Sequence, residues 1–317
     1  MTIPDLTIST IATVGGDLGW GAATLPLAQA ANPAVMDTMT LFQAIVIGLV
    51  QGLTEFLPIS STAHIKIIPV MLGWGDPGVT FAAVIQLGSI AAMLWYFWDD
   101  LSQVTGGAIR AALNRKFDAL DFRLGLGIVV GTLPIVVGGL WIKLFVPDFD
   151  NSPLRSSATI AIVSMVMALL LAAAEILGRR RRTFDQLTLK DGVLMGLAQA
   201  LAIIPGVSRS GSTLTAGLFM GLERATAARF SFLLGVPAIT LAGLVELMEL
   251  IDGGLGNVGL GPLLAGLLAA LVSSYLSIVW LLNFLKQHST WVFVWYRLAF
   301  GAVILLALAL GASPQRI

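Results

Sequence analysis

Twice in this chain an apolar helix stops at a proline and runs into a cluster of hydroxyls, well before it is long enough to cross a bilayer. The first copy runs from residue 39 to 57, halts at Pro58 and turns through Ser60-Ser61-Thr62 into a second piece, 62–73. The second occupies 190–222, breaks at Pro205 and turns through Ser208-Arg209-Ser210. Crossing about 30 Å of hydrocarbon at about 1.5 Å per residue needs about 20 residues, which these pieces lack. Each copy is therefore expected to enter the membrane and return as a re-entrant hairpin, 39–73 and 190–222. Such a break survives at membrane depth only when protein or a wet cavity surrounds it. At a constant offset of 148 residues, Gly48 falls on Gly196, Gln51 on Gln199 and Ser60 on Ser208, so the two breaks read as one motif written twice.

The rest of the chain supports a membrane setting. Of 317 residues, 57% are hydrophobic and 11% charged, against about 25% charged in soluble domains. The formal net charge is zero, so charge offers no argument for a nucleic-acid partner, and the absence of cysteine excludes disulfides and thiolate chemistry. Full spans are expected at 79–98, 124–146 and 156–177, then at 226–250, 262–284 and 292–311. A loop carrying Arg110, Arg115, Lys116 and Arg123, and the run Arg179-Arg180-Arg181-Arg182, place those ends in the cytoplasm by the positive-inside rule. Juxtamembrane arginines of this kind usually serve topology and lipid-headgroup contact.

One hairpin plus three spans fills 39–177, and the same set fills 190–311, joined by a basic cytoplasmic loop at 178–189. Because three is odd, the second unit is inverted relative to the first, an arrangement known best from transporters. The expected fold is thus an all-α polytopic membrane protein built as an inverted repeat, with the two hairpin tips converging. Residues 1–38 read as an exported extension, poorly ordered or cleaved: Ala28-Gln-Ala30 resembles a cleavage site, but the basic segment of a signal peptide is missing. Residues 312–317 form a tail.

Polar residues at membrane depth are costly and point to function. Gln51 and Glu55 lie four apart on one helical face, and Ser61 and His64, three apart, put a hydroxyl and an imidazole within mutual reach. His64 is one of two histidines in the chain. In Pro205-Gly-Val-Ser208-Arg209-Ser210-Gly-Ser212-Thr213, glycines, hydroxyls, a guanidinium and a helix start supply the parts of an anion site. The Gly-Lys-Ser/Thr of a nucleotide loop is absent. Two structural readings compete: Glu55 bonding only to hydroxyls across a helix contact, and Arg209–Glu55 as an ion pair that merely joins the hairpins.

Gln51-x-x-x-Glu55, Phe56-Leu-Pro58-Ile-Ser60-Ser61-Thr62-Ala-His64 and Pro205-Gly-Val-Ser208-Arg209-Ser210-Gly resemble the undecaprenyl-diphosphatase, or bacitracin-resistance protein, family over about residues 39–311. Gln51 departs from the glutamate frequent there, and Ala63 from the glycine, which leaves Glu55 as the one carboxylate of the motif. The resemblance implies hydrolysis of a C55 polyprenyl diphosphate to the monophosphate carrier of cell-wall synthesis. It implies a multi-pass protein of the bacterial inner membrane, with a site open to the periplasmic face and a divalent cation, Mg or Ca, as cofactor.

Carried over by position, Glu55, Ser61, His64 and Arg209 are the expected catalytic residues. Ser208, Arg209, Ser210, Thr213, Arg297, Ser60 and Thr62 are expected on the substrate phosphates, and Glu55 with Gln51 on the metal. Two assignments fit the pattern: Ser61 as nucleophile with His64 as its base, or His64 attacking or activating water itself. The lipid substrate and the membrane are the expected partners, with no nucleic acid, and oligomerisation is left open. The alternative functional class is an inverted-repeat lipid-phosphate transporter or flippase, and a non-catalytic scaffold is the bland third.

Overall fold

A computed structural model of the chain describes residues 39–146, 149, 152–253 and 258–311. The expectations for 1–38 and 312–317 lie outside the described residues. Those described are helical: α1 (Leu41–Phe56), α2 (Ser61–Met71), α3 (Gly78–Tyr96), α4 (Trp98–Leu113), α5 (Leu120–Phe145), α6 (Ser157–Leu177), α7 (Leu189–Ala200), α8 (Arg209–Phe219), α9 (Arg224–Gly253), α10 (Leu260–Gln287) and α11 (Trp291–Ala309). Five of these, α5, α6, α9, α10 and α11, are each long and apolar enough to cross a membrane. The protein is therefore a multi-pass membrane protein. Outward-facing Val137, Trp141 and Phe145 on α5 and Leu268, Val272 and Leu276 on α10 are exposed, as side chains against lipid would be.

Where a basic loop was expected after residue 98, the chain instead forms α4, bent 65° from α3 at Phe97. Its buried positions are Val104 and Ala111, while Trp98, Ile109 and Leu113 on the other side are exposed. Gly106-Gly107 and the charges at its ends give the segment a loop-like composition. The helix forms because one narrow face packs on α5, closely enough that a Cβ on Gly125 would lie 2.9 Å from that of Ala108.

Two crossings set the position of everything polar. α1 packs along α10, and α7 along α5, each close enough to demand glycine. A Cβ on Gly48 would stand 2.3 Å from the carbonyl oxygen of Gly266, and one on Gly196 2.2 Å from that of Gly131. Small residues at membrane helix contacts let backbones approach and gain dispersion contact. Gly196→Ala is accordingly expected to destabilise the protein by about 2 kcal/mol or more, read as a lowered Tm in detergent. Gly139→Ala, with nothing within 4 Å of the added carbon, is the control expected to leave Tm unchanged or higher.

The polar end of the molecule is pinned by ion pairs. Glu175 on α6, buried, accepts from Arg180 (2.8 Å), from Arg224 and from the hydroxyl of Thr290 (2.8 Å). Arg182 forks onto Asp191 (2.7 and 2.5 Å), and that carboxylate holds the Arg182 guanidinium above its ordinary range. Two of the four arginines thus have partners inside the protein, beyond the topogenic role expected of the run.

Candidate active site

Both helix breaks store backbone strain at the same place. Ser60 has φ 76° and ψ 95°, and Ser208 has φ 69° and ψ 115°, conformations that cost a non-glycine residue about 1–3 kcal/mol. Each turns the chain so that the next residue, Ser61 or Arg209, opens a new helix. Ser208 caps its helix through a bond from the Gly211 amide (3.1 Å), whereas α2 begins without a side-chain cap. Two helix starts, where anions are favoured, therefore border one space.

That space is a cavity of about 700 Å3. Gln51, Glu55, Ser60, Ser61, Thr62, Ser208 and Arg209 line it, together with Gln86 of α3. Lys66, Asp76 and Arg155 also line it, with Lys66 donating to the Arg155 carbonyl. An apolar wall is contributed by Ile135, Ile204 and Ile239.

Inside the cavity the hydroxyl of Ser61 donates to Glu55 Oε2 at 2.7 Å. The Gln51 amide nitrogen reaches the same oxygen at 3.2 Å and donates to Gln86 Oε1 at 2.5 Å. Arg209 Nη2 is ion-paired with Glu55 Oε1 at 3.5 Å, longer than a charge-assisted hydrogen bond. Both terminal nitrogens of Arg209 are buried without a hydrogen-bond partner. A buried guanidinium left with free donors beside two helix starts is a ready receptor for phosphoryl oxygens. The expected Arg209–Glu55 ion pair is present, and it leaves the Arg209 terminal nitrogens without hydrogen bonds.

The reach expected between Ser61 and His64 is not used. His64 is 1% exposed and does not line the cavity. Its Nδ1 sits 2.7 Å from the Ser60 carbonyl, which can only accept, so Nδ1 carries the proton. In the neutral ring Nε2 then accepts from the Tyr296 hydroxyl at 2.7 Å. The ring stacks on Phe300 at 4.3 Å. His64 is kept from Ser61 because its ring is tied to the Ser60 carbonyl and Tyr296 and stacked on Phe300.

Three residues expected on phosphate are likewise engaged elsewhere. Ser210 donates to the Leu57 carbonyl (3.0 Å), and Thr213 to the Arg209 carbonyl (2.8 Å) with Ser231 beside it (2.5 Å). Arg297, 1% exposed, donates from Nη1 to Pro58 O and from Nη2 to Gly206 O and Val207 O, with Nε on Ser164. It bridges the two breaks rather than facing the cavity. Gln86 was missed in the sequence, although a glutamine inside an apolar span carries the same warning as Glu55.

No group of three or more histidine, cysteine, aspartate or glutamate residues is placed to hold a metal among the described residues. At the break Glu55 has the Ser61 hydroxyl and the Gln86 amide oxygen near it, and the carboxylates of Asp76 and Glu246 also line the cavity. All are hard oxygen donors, the kind Mg and Ca accept when substrate phosphates complete the shell. The residues present fit such an ion.

A multi-pass helical protein that gathers an acid, a hydroxyl and a guanidinium with free hydrogen-bond donors in one cavity has the parts of a lipid-phosphate enzyme. A family model described as bacitracin resistance protein BacA matches residues 44–303, and the chain belongs to that family. It is 63% identical over 276 residues to the undecaprenyl-diphosphatase of Nostoc sp., covering 87% of this chain and 86% of that one. The undecaprenyl-diphosphatase of Synechocystis sp. is 64% identical over 274 residues, 86% of this chain and 84% of its own. That of Synechococcus sp. (strain ATCC 27144) is 60% identical over 286 residues, 90% and 96%.

Proposed function

We propose that the chain hydrolyses undecaprenyl diphosphate to undecaprenyl phosphate and inorganic phosphate, with Ser61 as nucleophile, Glu55 as its base and Arg209 as the phosphate grip. The activity follows from the family and from relatives at about 60% identity that carry that name. The observation that carries the residue roles is the 2.7 Å bond from Ser61 to Glu55 beside an Arg209 whose terminal nitrogens make no hydrogen bond.

Glu55 takes the Ser61 proton as Oγ attacks the terminal phosphorus. The bond from that phosphorus to the bridging oxygen breaks, and the electron pair leaves with the lipid monophosphate, to which Glu55 passes the proton. Water then attacks the phosphoserine and gives a proton to Glu55, inorganic phosphate departs, and Ser61 recovers its hydrogen from Glu55. Arg209 meets the charge on the equatorial oxygens throughout, in a site where low dielectric strengthens it. His64, held by Tyr296, fixes the Ser60 carbonyl and with it the strained turn that aims Ser61. The apolar wall of Ile135, Ile204 and Ile239 receives the first prenyl units, and the rest of the tail stays in lipid.

A divalent cation would be held by Glu55, with the Gln51 amide turned over so that its oxygen replaces the nitrogen beside the carboxylate, and would supply further charge neutralisation on the diphosphate. Two inverted halves form the scaffold. In support, each hairpin helix, α1 or α7, packs on the middle span of the other half, and both breaks place a positive-φ serine at matching positions. A periplasmic cavity is supported by its lining residue Arg155, which precedes α6, whose far end leads to the arginine run 179–182 read as cytoplasmic.

Phosphate release from C55 diphosphate by the purified protein in detergent tests the reading. We expect turnover that a chelator abolishes and that added Mg or Ca restores. Exchange of intact lipid between leaflets without phosphate release would instead point to the flippase alternative, which no observation favours. Undiminished turnover after exhaustive chelation would remove the metal from the proposal.

A further inference from the structure

Among the described residues, Arg209 is the one cavity cation whose terminal nitrogens are both buried without a hydrogen-bond partner, so its guanidinium is held by a long ion pair to Glu55 and by packing alone. On one side stands Glu55, 3.5 Å away. On the other stands α9, at Gly235. A Cβ built on Gly235 would lie 1.8 Å from Arg209 Nη1 and 2.8 Å from its Cζ, with Met93 Cε the next atom at 3.4 Å. No side chain fits there while the guanidinium keeps its position, because real carbons do not approach so closely.

Glycine in a helix interior is otherwise a liability, weakening it relative to alanine. Here α9 already carries Pro237 two residues on, which deprives the Leu233 carbonyl of its helical donor. A helix with that defect would gain from alanine at 235, yet it carries the residue that weakens it further.

We infer that Gly235 is a positioning residue for the phosphate grip: its missing side chain forms the seat that holds the Arg209 guanidinium back from Glu55, so that its free donors face substrate. This rests on the hydrolase reading above and goes beyond it, since that reading gives no residue of α9 a part in handling phosphate. Any side chain at 235 drives the guanidinium across the 3.5 Å gap onto Glu55. The existing ion pair then tightens into hydrogen bonds, which occupy the donors meant for phosphate and the carboxylate meant for Ser61. The site closes on itself.

The test compares wild type, Gly235→Ala, Arg209→Lys and the double variant. Readouts are hydrolysis of C55 diphosphate, binding of a non-hydrolysable methylene diphosphonate analogue, and Tm in detergent. Gly235→Ala is expected to lower kcat/KM about 100-fold, the scale of an ångström-sized misplacement. KM and analogue affinity should carry most of that loss, while Tm stays equal to or above wild type. Lysine has no branched terminus for the new carbon to strike. Adding Gly235→Ala to Arg209→Lys should therefore change analogue binding by about twofold or less.

The inference is overturned if Gly235→Ala keeps wild-type kcat/KM, if its activity and Tm fall together, or if it weakens analogue binding as much in the Arg209→Lys background as beside the native arginine. A wild type that bound the diphosphonate but released no phosphate would count against the hydrolase reading alone.

Discussion

Ser61→Ala is expected to lower kcat by about 10^4-fold or more, the scale on which removal of a nucleophile acts, with little change in KM and none in Tm. The hydroxyl lies in the cavity, 2.7 Å from the only carboxylate on the hairpin helix, and its loss leaves Glu55 still bonded by Gln51 (3.2 Å). Rapid quenching with a substrate labelled in the terminal phosphate should trap label on Ser61 in the wild type and none in the variant. Glu55→Gln should slow both formation and breakdown of that adduct, because one carboxylate serves both half-reactions. His64→Gln is expected to cost far less at the chemical step, since the ring works through the Ser60 carbonyl. The rival assignment, in which His64 attacks or activates water, makes the opposite ordering: a dead His64 variant, a Ser61→Ala enzyme within about tenfold of wild type, and no label on serine.

The contrast between those two assignments marks where sequence reasoning stopped. Glu55 and Arg209 were legible because charge inside an apolar run has few structural excuses, and the Pro and Ser breaks were legible because their helices are too short to span. The partner of Ser61 was not. Its bond to Glu55 links residues six apart across a reversal made by Ser60 at φ 76°, and helical spacing has no meaning across that turn. Spacing inside α2 pointed to His64 instead. The same limit hid Gly235, which lies 26 residues from Arg209 and matters through an atom it lacks. The helix α4 escaped because its composition is that of an interfacial loop and only its contact with α5 makes it fold.

Arg297 separates a grip on substrate from a grip on the fold. As a residue of the family's signature it was expected on phosphate, but its donors reach Pro58 O (3.1 Å), Gly206 O (2.8 Å), Val207 O (3.1 Å) and Ser164 (3.1 Å). These carbonyls lie at the two breaks, where proline has ended the helix and no backbone N–H follows in register to meet them. One guanidinium, with five donors in a planar fork, satisfies both hairpins at once and ties them to α6. Arg297→Ala strands those carbonyls in a buried site, at about 1–3 kcal/mol for each unsatisfied group, so a loss of about 4 kcal/mol or more is expected. Arg297→Lys should recover only part of it, because an ammonium on a flexible stem cannot reach three directions in one plane. Arg209→Ala is the informative companion: it removes a cation that makes no hydrogen bond through its terminal nitrogens and leaves Glu55 still bonded by Ser61 and Gln51, so Tm should fall far less than in Arg297→Ala while diphosphonate binding disappears. Thermal unfolding of the three variants in detergent, beside analogue binding, decides the matter. An Arg297→Ala protein with wild-type Tm and a binding defect alone would return that residue to the phosphate.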